Sequence, residues 1–141
     1  MAVWGIGAYF KGSNGGDRAR EFVAKNIAAI GYSQEEHPDY YDLLEEMKEG
    51  DLIYIKSKRQ YTSNQPMHLK AIGIVTDATV EPKALDDGTT ASGIDVYWVK
   101  DFTESPEIIQ AKPSPMSGNS VFEERNKTVI KEIVGYLYSH Q

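Results

Sequence analysis

The chain has 141 residues, enough for one domain with its own hydrophobic core, and 40% of them are hydrophobic. It has no cysteine, which excludes disulfides, thiolate nucleophiles and cysteine-based zinc sites. Its net charge of −6 argues against indiscriminate binding to phosphate backbones, because such binding draws on many Lys and Arg contacts. We expect one domain over residues 1–141 and a cytoplasmic location, since no signal peptide or membrane span is recognisable.

The N-terminal third predicts one strand and two helices. Residues Ala2 to Phe10 have the β-branched and aromatic composition of a strand, and the following KGSNGG predicts a flexible turn. Asp17 is expected to cap a helix running to about Ala29, because apolar residues recur there at spacings of three and four. Pro38 favours the first turn of a second helix that ends at Gly50.

The middle of the chain predicts strands. Asp51 to Lys56 and Leu69 to Val75 are apolar runs of ordinary strand length, and we expect them to form a hairpin around a long polar loop. The segment EPKALDDGTTASG predicts a turn-rich connector. IDVYWVKDF predicts a further strand with apolar residues on both faces.

The C-terminal segment predicts a helix, because Ser120 with Glu123 three residues later forms a capping-box pattern before an apolar helical periodicity. Two early helices, several short strands and this last helix do not alternate as in a doubly wound sheet. We therefore predict an α+β fold built on a small, strongly bent mixed sheet or pseudo-barrel.

No enzyme motif emerges. The three histidines, His37, His68 and His140, are too far apart in sequence to suggest a set of metal ligands. GSNGG lacks the Lys-Ser/Thr of a P-loop and does not match GxGxxG, so a plain turn is favoured over a phosphate cradle. The sequence predicts no catalytic residue, no metal and no cofactor.

Three strand segments carry a resemblance. GDLIYIKS, followed after the polar loop by KAIGIVTD and then by VYWVKDF, resembles the strand core of the PUA-like superfamily. The similarity is greatest to EVE and YTH-related domains and to modified-base readers associated with bacterial restriction systems. Gly50, Asp51, Ser57, the segment IGIV and Trp98 hold the places of the family's short motifs.

A further segment, AAIGYS, is similar to one found in the restriction-associated members, with Tyr32 where many carry Trp. The similarity covers most of Met1 to Phe102. It implies a pseudo-barrel with a pocket between sheet and helix that receives a flipped, often modified base. Stacking and hydrogen bonds must then offset the few kcal/mol that base flipping costs.

The resemblance, together with the aromatic, amide and hydroxyl side chains nearby, predicts the members of such a pocket. The expected ligand-binding residues are Tyr9, Phe10, Ser13, Asn14, Tyr32, Ser57, Tyr61, Asn64 and Trp98. Flanking phosphates are expected to meet Lys56, Lys58 and Arg59. We expect the loop after Ser57 to cover the pocket, since it is long for a hairpin connection.

Structural roles remain open for several of these side chains. Trp98 has the surroundings of a core residue, and Tyr9 and Phe10 alternate in direction, so at most one of them faces a pocket. Tyr61 is open to a second interpretation, in which its ring folds back onto its own hairpin. The basic residues of the loop are equally consistent with a solvated surface.

Three functions are consistent with these features. The first is a non-catalytic module that binds nucleic acid with a modified base, or a free nucleotide, in bacterial defence or RNA handling. The alternative is a protein-interaction or regulatory domain that uses the C-terminal helix and an acidic helix, since eight acids and only Lys48 lie between Ser33 and Asp51. A nucleotide-processing hydrolase is disfavoured, because no nucleophile, base and orienting group can be assembled. No membrane partner is predicted.

Overall fold

A computed structural model describes residues 1–11, 15–57, 66–109 and 120–138, and over these ranges the chain is α+β, with a strongly curled mixed sheet and three helices. This confirms the predicted fold class. In chain order the elements are β1 Val3–Gly7, β2 Tyr9–Phe10, β3 Gly16–Asp17, α1 Ala19–Lys25, β4 Ile27–Ile30, α2 Pro38–Glu46, β5 Leu52–Ser57, β6 Met67–Ala84, β7 Thr90–Asp101, β8 Glu107–Ile109, β9 Val121–Glu123 and α3 Lys127–Leu137.

The main sheet runs in the order β4-β7-β6-β5-β1-β9, and β8 pairs with residues 67–69 of β6 on the edge opposite β5. β1 and β5 are parallel, whereas the other pairs are antiparallel, which makes the sheet mixed. The predicted hairpin of β5 and β6 is confirmed. β2 and β3 form a separate two-stranded ribbon.

Both faces of the central strands are buried, because side chains on a strand alternate in direction and helices cover both sides. On β5, Ile53 and Ile55 belong to one apolar cluster, which includes Phe22 of α1 and Leu44 of α2. The alternating β5 residues Leu52 and Tyr54 belong to a second cluster, which includes Val129 and Ile133 of α3. The sheet is thus the middle layer of the fold.

The GD motif before β5 has a structural role. The buried carboxylate of Asp51 accepts hydrogen bonds from the backbone N–H of Ala2 (3.0 Å), the Trp4 indole N–H (2.9 Å) and the backbone N–H of Lys48 (3.0 Å). Burial raises the pKa of this carboxyl, but these three donors outweigh burial and leave the pKa below its ordinary value. Asp51 therefore fixes β1 beside β5.

The first predicted helix is too long. α1 ends at Lys25, Asn26 adopts a left-handed conformation (φ 56°), and Ile27–Ile30 is the strand β4. Residues 27–30 are fully buried and pair with residues 92–95 of β7, so tertiary pairing overrides the helical tendency of two alanines. The predicted cap, Asp17, precedes the N-cap Arg18, although its carboxylate still accepts a hydrogen bond from Ala19 N–H (2.9 Å).

Other boundaries also need correction. The predicted first strand is divided into β1 and β2, and α2 ends at Glu46 rather than at Gly50. Most of the predicted connector EPKALDDGTTASG is strand, since β6 extends to Ala84 and β7 begins at Thr90. Tyr97 on β7 is 60% exposed, so the second face of this strand is not a buried apolar face.

The predicted start of the last helix is wrong. Residues 121–123 pair with β1 as strand β9, and α3 begins only after Asn126, whose side chain accepts hydrogen bonds from Thr128 N–H and Val129 N–H. The Ser120 and Glu123 pattern is therefore not a capping box. Asn126 supplies the cap, since its short side chain satisfies two backbone donors at the start of the helix.

Candidate functional site

A cavity of about 400 Å³ lies where β4 ends and β7 begins. It is lined by Phe10 and Lys11 at the end of β2, by Arg18, by residues 30–33, by Tyr41 of α2, and by residues between positions 82 and 92 in and around the β6–β7 turn. β4 and β7 are neighbours in the sheet, with Ile30 paired to Ser92, so the sheet brings these distant segments together.

Phe10 forms one wall of the cavity. Its ring packs directly on Gly31, where an added Cβ would lie 2.8 Å from the Phe10 Cγ, so a larger residue at position 31 would displace the ring. Phe22 meets the same ring edge to face at 6.0 Å, and the Arg18 guanidinium lies 5.6 Å from its centroid. Phe10 is therefore a fixed wall, whereas Tyr9 is 66% exposed and does not line the cavity.

Tyr32 forms a second wall and belongs to a cluster of rings. It meets His37 at 4.5 Å and Tyr40 at 5.7 Å between ring centroids, both edge to face. His37 in turn stacks on Tyr40 at 4.2 Å with an interplanar angle of 9°. These contacts restrict the Tyr32 ring, which remains half-buried beside the cavity.

Tyr41 holds the cavity together through its hydroxyl group. This group donates a hydrogen bond to the Tyr32 carbonyl oxygen (2.8 Å) and lies 3.2 Å from the Ser92 Oγ. It thereby links α2 to the end of β4 and to β7. Nearby, Ser33 N–H donates to the Glu36 carboxylate (2.9 Å) and Glu36 N–H donates to the Ser33 Oγ (3.2 Å), which fixes the turn before α2.

Two of the three charged residues in the lining, Arg18 and Asp87, neutralise each other. The Arg18 guanidinium contacts Asp87 at 2.7 Å and Glu21 at 3.1 Å. The pKa of Asp87 lies well below its usual range, chiefly because the Thr89 hydroxyl and the Thr89 backbone N–H donate to its carboxylate, and Arg18 adds to the effect. Lys11 is exposed at the rim and makes no ion pair within the described part of the chain.

Besides Tyr9, three further predicted site residues lie outside this cavity. Trp98 is in the core at 7% exposure, and its indole N–H donates to the Ile27 carbonyl oxygen (3.0 Å). Lys56 is only 6% exposed, with its ammonium 5.6 Å from the centroid of the Phe122 ring. Ser57 is half-buried at the end of β5, where it pairs with His68. None of these three lines the cavity.

The remaining predicted site residues, Ser13, Asn14, Lys58, Arg59, Tyr61 and Asn64, lie outside the described residues, and their roles stay predictions. Tyr41, Ser92, Arg18 and Asp87 were not predicted as site residues. For Asp87 and Ser92, the sequence did contain a signal, because hydroxyl-bearing residues are concentrated between positions 81 and 93 and such side chains often bind ligands. The turn-rich composition of this segment predicted a connector instead.

Within residues 1–11, 15–57, 66–109 and 120–138, no group of three or more His, Asp or Glu side chains is placed to hold a metal ion. The helices in the same ranges include none that is both long and apolar enough to cross a membrane.

The sequence matches no protein-family model and no curated protein. Two solved structures nevertheless share its fold. The human THYN1 protein, crystallised in complex with DNA that contains 5-methylcytosine, is 9% identical, with a TM-score of 0.57 over 100% of both chains. Protein PSPTO5229 from Pseudomonas syringae is 15% identical, with a TM-score of 0.54 over 96% of this chain and 99% of its own. The chain therefore shares the fold of these two proteins over nearly its whole length.

Proposed function

We propose that this protein is a non-catalytic module that binds nucleic acid and accommodates one modified base in the cavity between Phe10 and Tyr32. The observation that carries the proposal is the likeness of fold over the whole chain to THYN1, whose structure contains 5-methylcytosine DNA. A role in bacterial defence or RNA handling is part of the proposal and rests on the resemblance of AAIGYS and the strand motifs.

The size and chemistry of the cavity support this function. Its volume of about 400 Å³ falls within the roughly 300–1,000 Å³ of small-ligand sites. Aromatic walls and a few fixed polar groups are what a flipped base requires. Stacking on one ring contributes about 1–3 kcal/mol per base, so two walls offset the few kcal/mol that flipping costs.

The charge distribution sets the expected binding behaviour. The net charge of −6 opposes general attraction to phosphates, and Arg18 is already engaged with two carboxylates. Lys11 at the rim is positioned to meet a flanking phosphate, and the predicted contacts of Lys58 and Arg59 remain part of the proposal. Binding to unmodified DNA or RNA is then weak and salt-sensitive, and a modified base adds the specific affinity.

A titration of oligonucleotides that differ only in one base tests the proposal. We expect a 5-methylcytosine or 5-hydroxymethylcytosine oligonucleotide to bind more tightly than the unmodified one at two salt concentrations. Replacing Tyr32 by Ala removes one wall and is expected to weaken this binding about tenfold, which corresponds to about 1.4 kcal/mol. Equal and undetectable binding of all oligonucleotides contradicts the proposal.

Tyr97→Ala is the matched control, because this tyrosine is exposed on the opposite side of β7 from the buried Val96 and Trp98. We expect it to bind like the wild-type protein. Thermal unfolding of both variants checks that Tyr32→Ala weakens binding in a folded protein.

One observation favours a second function, a protein-interaction domain. Asp42, Glu45 and Glu46 are exposed on α2, and none of them makes an ion pair with another described residue. Replacing Glu45 and Glu46 by Lys would abolish capture of a basic protein partner in this case. Tyr32→Ala would leave that capture unchanged, which separates this function from base binding.

A further inference from the structure

We propose that the cavity accepts a base larger than a methylated pyrimidine, namely one that carries a neutral, hydroxyl-rich substituent such as a sugar unit. This inference rests on the proposed function and specifies the ligand class for the same site. Three observations carry it: the volume of the cavity, the hydroxyl groups of its lining and the cancellation of its charges.

The first observation is the volume. A cavity of about 150 Å³ in another protein is large enough to bind benzene, a six-membered ring. The cavity beside Phe10 measures about 400 Å³, so a pyrimidine ring would occupy less than half of it. A single methyl or hydroxymethyl group adds too little volume to fill the rest. The cavity therefore has room for a larger substituent, which would add contacts with the lining.

The second observation is the concentration of hydroxyl groups at one end of the cavity. Thr89 in the β6–β7 turn is followed by Thr90 and Ser92 on β7, and Tyr41 of α2 places its hydroxyl 3.2 Å from the Ser92 Oγ. A hydroxyl both donates and accepts hydrogen bonds, as sugar hydroxyls also do. The Thr89 hydroxyl donates to Asp87 and keeps its acceptor capacity, so these four side chains offer a matching surface for a polyol.

The arrangement of the two walls gives the ligand a direction. Ser92 pairs with Ile30 of β4. Gly31, which follows Ile30 in the chain, contacts the Phe10 ring. The hydroxyl groups of β7 therefore begin beside the aromatic wall formed by Phe10 and Tyr32. A base stacked on the aromatic wall would direct its substituent along β7.

The third observation is the charge of the lining. Arg18 and Asp87 contact each other at 2.7 Å, so the interior of the cavity offers neither a free cation nor a free anion from this pair. A charged substituent would have to compete with this contact, whereas a neutral one leaves it intact. Lys11, which also lines the cavity, is exposed, and we expect it to meet a flanking phosphate rather than the substituent.

The test uses the full chain and oligonucleotides of one sequence with a single cytosine, 5-methylcytosine, 5-hydroxymethylcytosine or glucosylated 5-hydroxymethylcytosine. Fluorescence anisotropy gives the dissociation constants. We expect the glucosylated oligonucleotide to bind at least tenfold more tightly than the methylated one. Methylated DNA binding as tightly as glucosylated DNA overturns this inference but leaves the proposed function standing. Binding of no modified oligonucleotide overturns both.

Competition by the free glucosylated nucleoside shows whether the site binds a free nucleoside or a base within a strand. If it competes as well as the oligonucleotide, the ligand class is correct and the strand adds no affinity. Weaker competition with tight oligonucleotide binding assigns the site to a base within a strand. No competition by the nucleoside and no glucosyl preference in the oligonucleotides overturn the inference.

Two variants test the hydroxyl surface. Tyr41→Phe removes the hydroxyl but keeps the ring, and Ser92→Ala removes its neighbour. We expect each to reduce the preference for glucosylated over methylated DNA at least threefold. Tyr97→Phe, which alters an exposed tyrosine away from the cavity, is the matched control. An unchanged preference in both variants overturns the assignment of the substituent to this surface.

Discussion

The two ends of the β6–β7 hairpin differ in their surroundings. Near its start, β6 lies between β5 and β7, and Leu69, Ala71, Ile72 and Val75 are at most 1% exposed. Beyond Ile74, β5 no longer pairs with β6. The register with β7 shifts there, because the five residues from Asp77 to Glu81 on β6 lie opposite the three from Asp95 to Gly93 on β7.

Within this one hairpin, the central end contributes stability and the far end contributes to the candidate binding site. The central end is fixed by strands on both sides and by apolar clusters on both faces, so almost every change there affects folding. At the far end β6 pairs only with β7, whereas β7 also pairs with β4, and the residues around the turn supply Asp87 and hydroxyl groups that line the cavity. Side chains that are not needed for packing are available for a ligand.

The largest effect is expected from Gly73→Ala at the central end. A Cβ at this position would lie 2.6 Å from the Val96 Cγ1 and 2.7 Å from the Tyr97 carbonyl oxygen, so the two strands must separate. We expect the free energy of unfolding to fall by about 3 kcal/mol, as for other overpacked cores. Urea denaturation measures it.

The matched control is Gly135→Ala on α3, where an added Cβ meets no atom within 4 Å. Alanine favours the helix, so the free energy of unfolding is expected to rise by about 0.5–1 kcal/mol. A Gly73→Ala protein as stable as the wild type would show that the central end of the hairpin is not tightly packed.

A smaller effect is expected from Tyr41→Phe on α2, whose hydroxyl contacts Ser92 near the far end of the hairpin. The variant loses the hydrogen bond to the Tyr32 carbonyl oxygen but keeps the ring, and the free energy of unfolding should fall by about 1 kcal/mol. Chemical denaturation gives this value. A loss as large as that of Gly73→Ala would contradict the separation of stability from binding.

The smallest effect concerns the pH dependence contributed by Asp87 in the turn. Its pKa in the folded protein is lowered from the ordinary 3.8, first by the Thr89 hydroxyl and then by the Thr89 N–H and Arg18. A lowered pKa contributes stability that is complete above 3.8 and is lost as the pH falls below it.

The variant Asp87→Asn cannot ionise and lacks this contribution. We therefore expect wild type to be the more stable protein at neutral pH and the difference to shrink as the pH falls below 3.8. Urea midpoints measured across this range test the prediction. A difference that stays constant with pH would show that the carboxylate gains nothing from Thr89 and Arg18.

The strands that were predicted correctly are those whose side chains carry their own signal. Residues 52–57 and 94–99 combine β-branched and aromatic residues, which favour strands whatever their partner. The missed strand Ile27–Ile30 contains two alanines after a helix, and its burial against β7 decides its conformation. The missed strand Val121–Glu123 is similarly defined by its pairing with β1.

The candidate site likewise combines residues that the sequence identified with residues that only tertiary contacts bring together. Phe10 and Tyr32 were predicted because the family resemblance implies a pocket with aromatic walls, and both line the cavity. Tyr41 and Ser92 were not, because they are 51 positions apart and their contact exists only when α2 packs beside β7. Trp98, which was also predicted, lies in the core, where its indole N–H donates to the Ile27 carbonyl oxygen of β4.

The sequence by itself determined the α+β class and the β5–β6 hairpin, because periodicity and turn residues act over short distances along the chain. The tertiary structure alone decided that residues 27–30 form a strand and that hydroxyl groups of the β6–β7 turn meet the aromatic wall. These features depend on pairing between segments more than 60 positions apart, whose energy no local pattern contains.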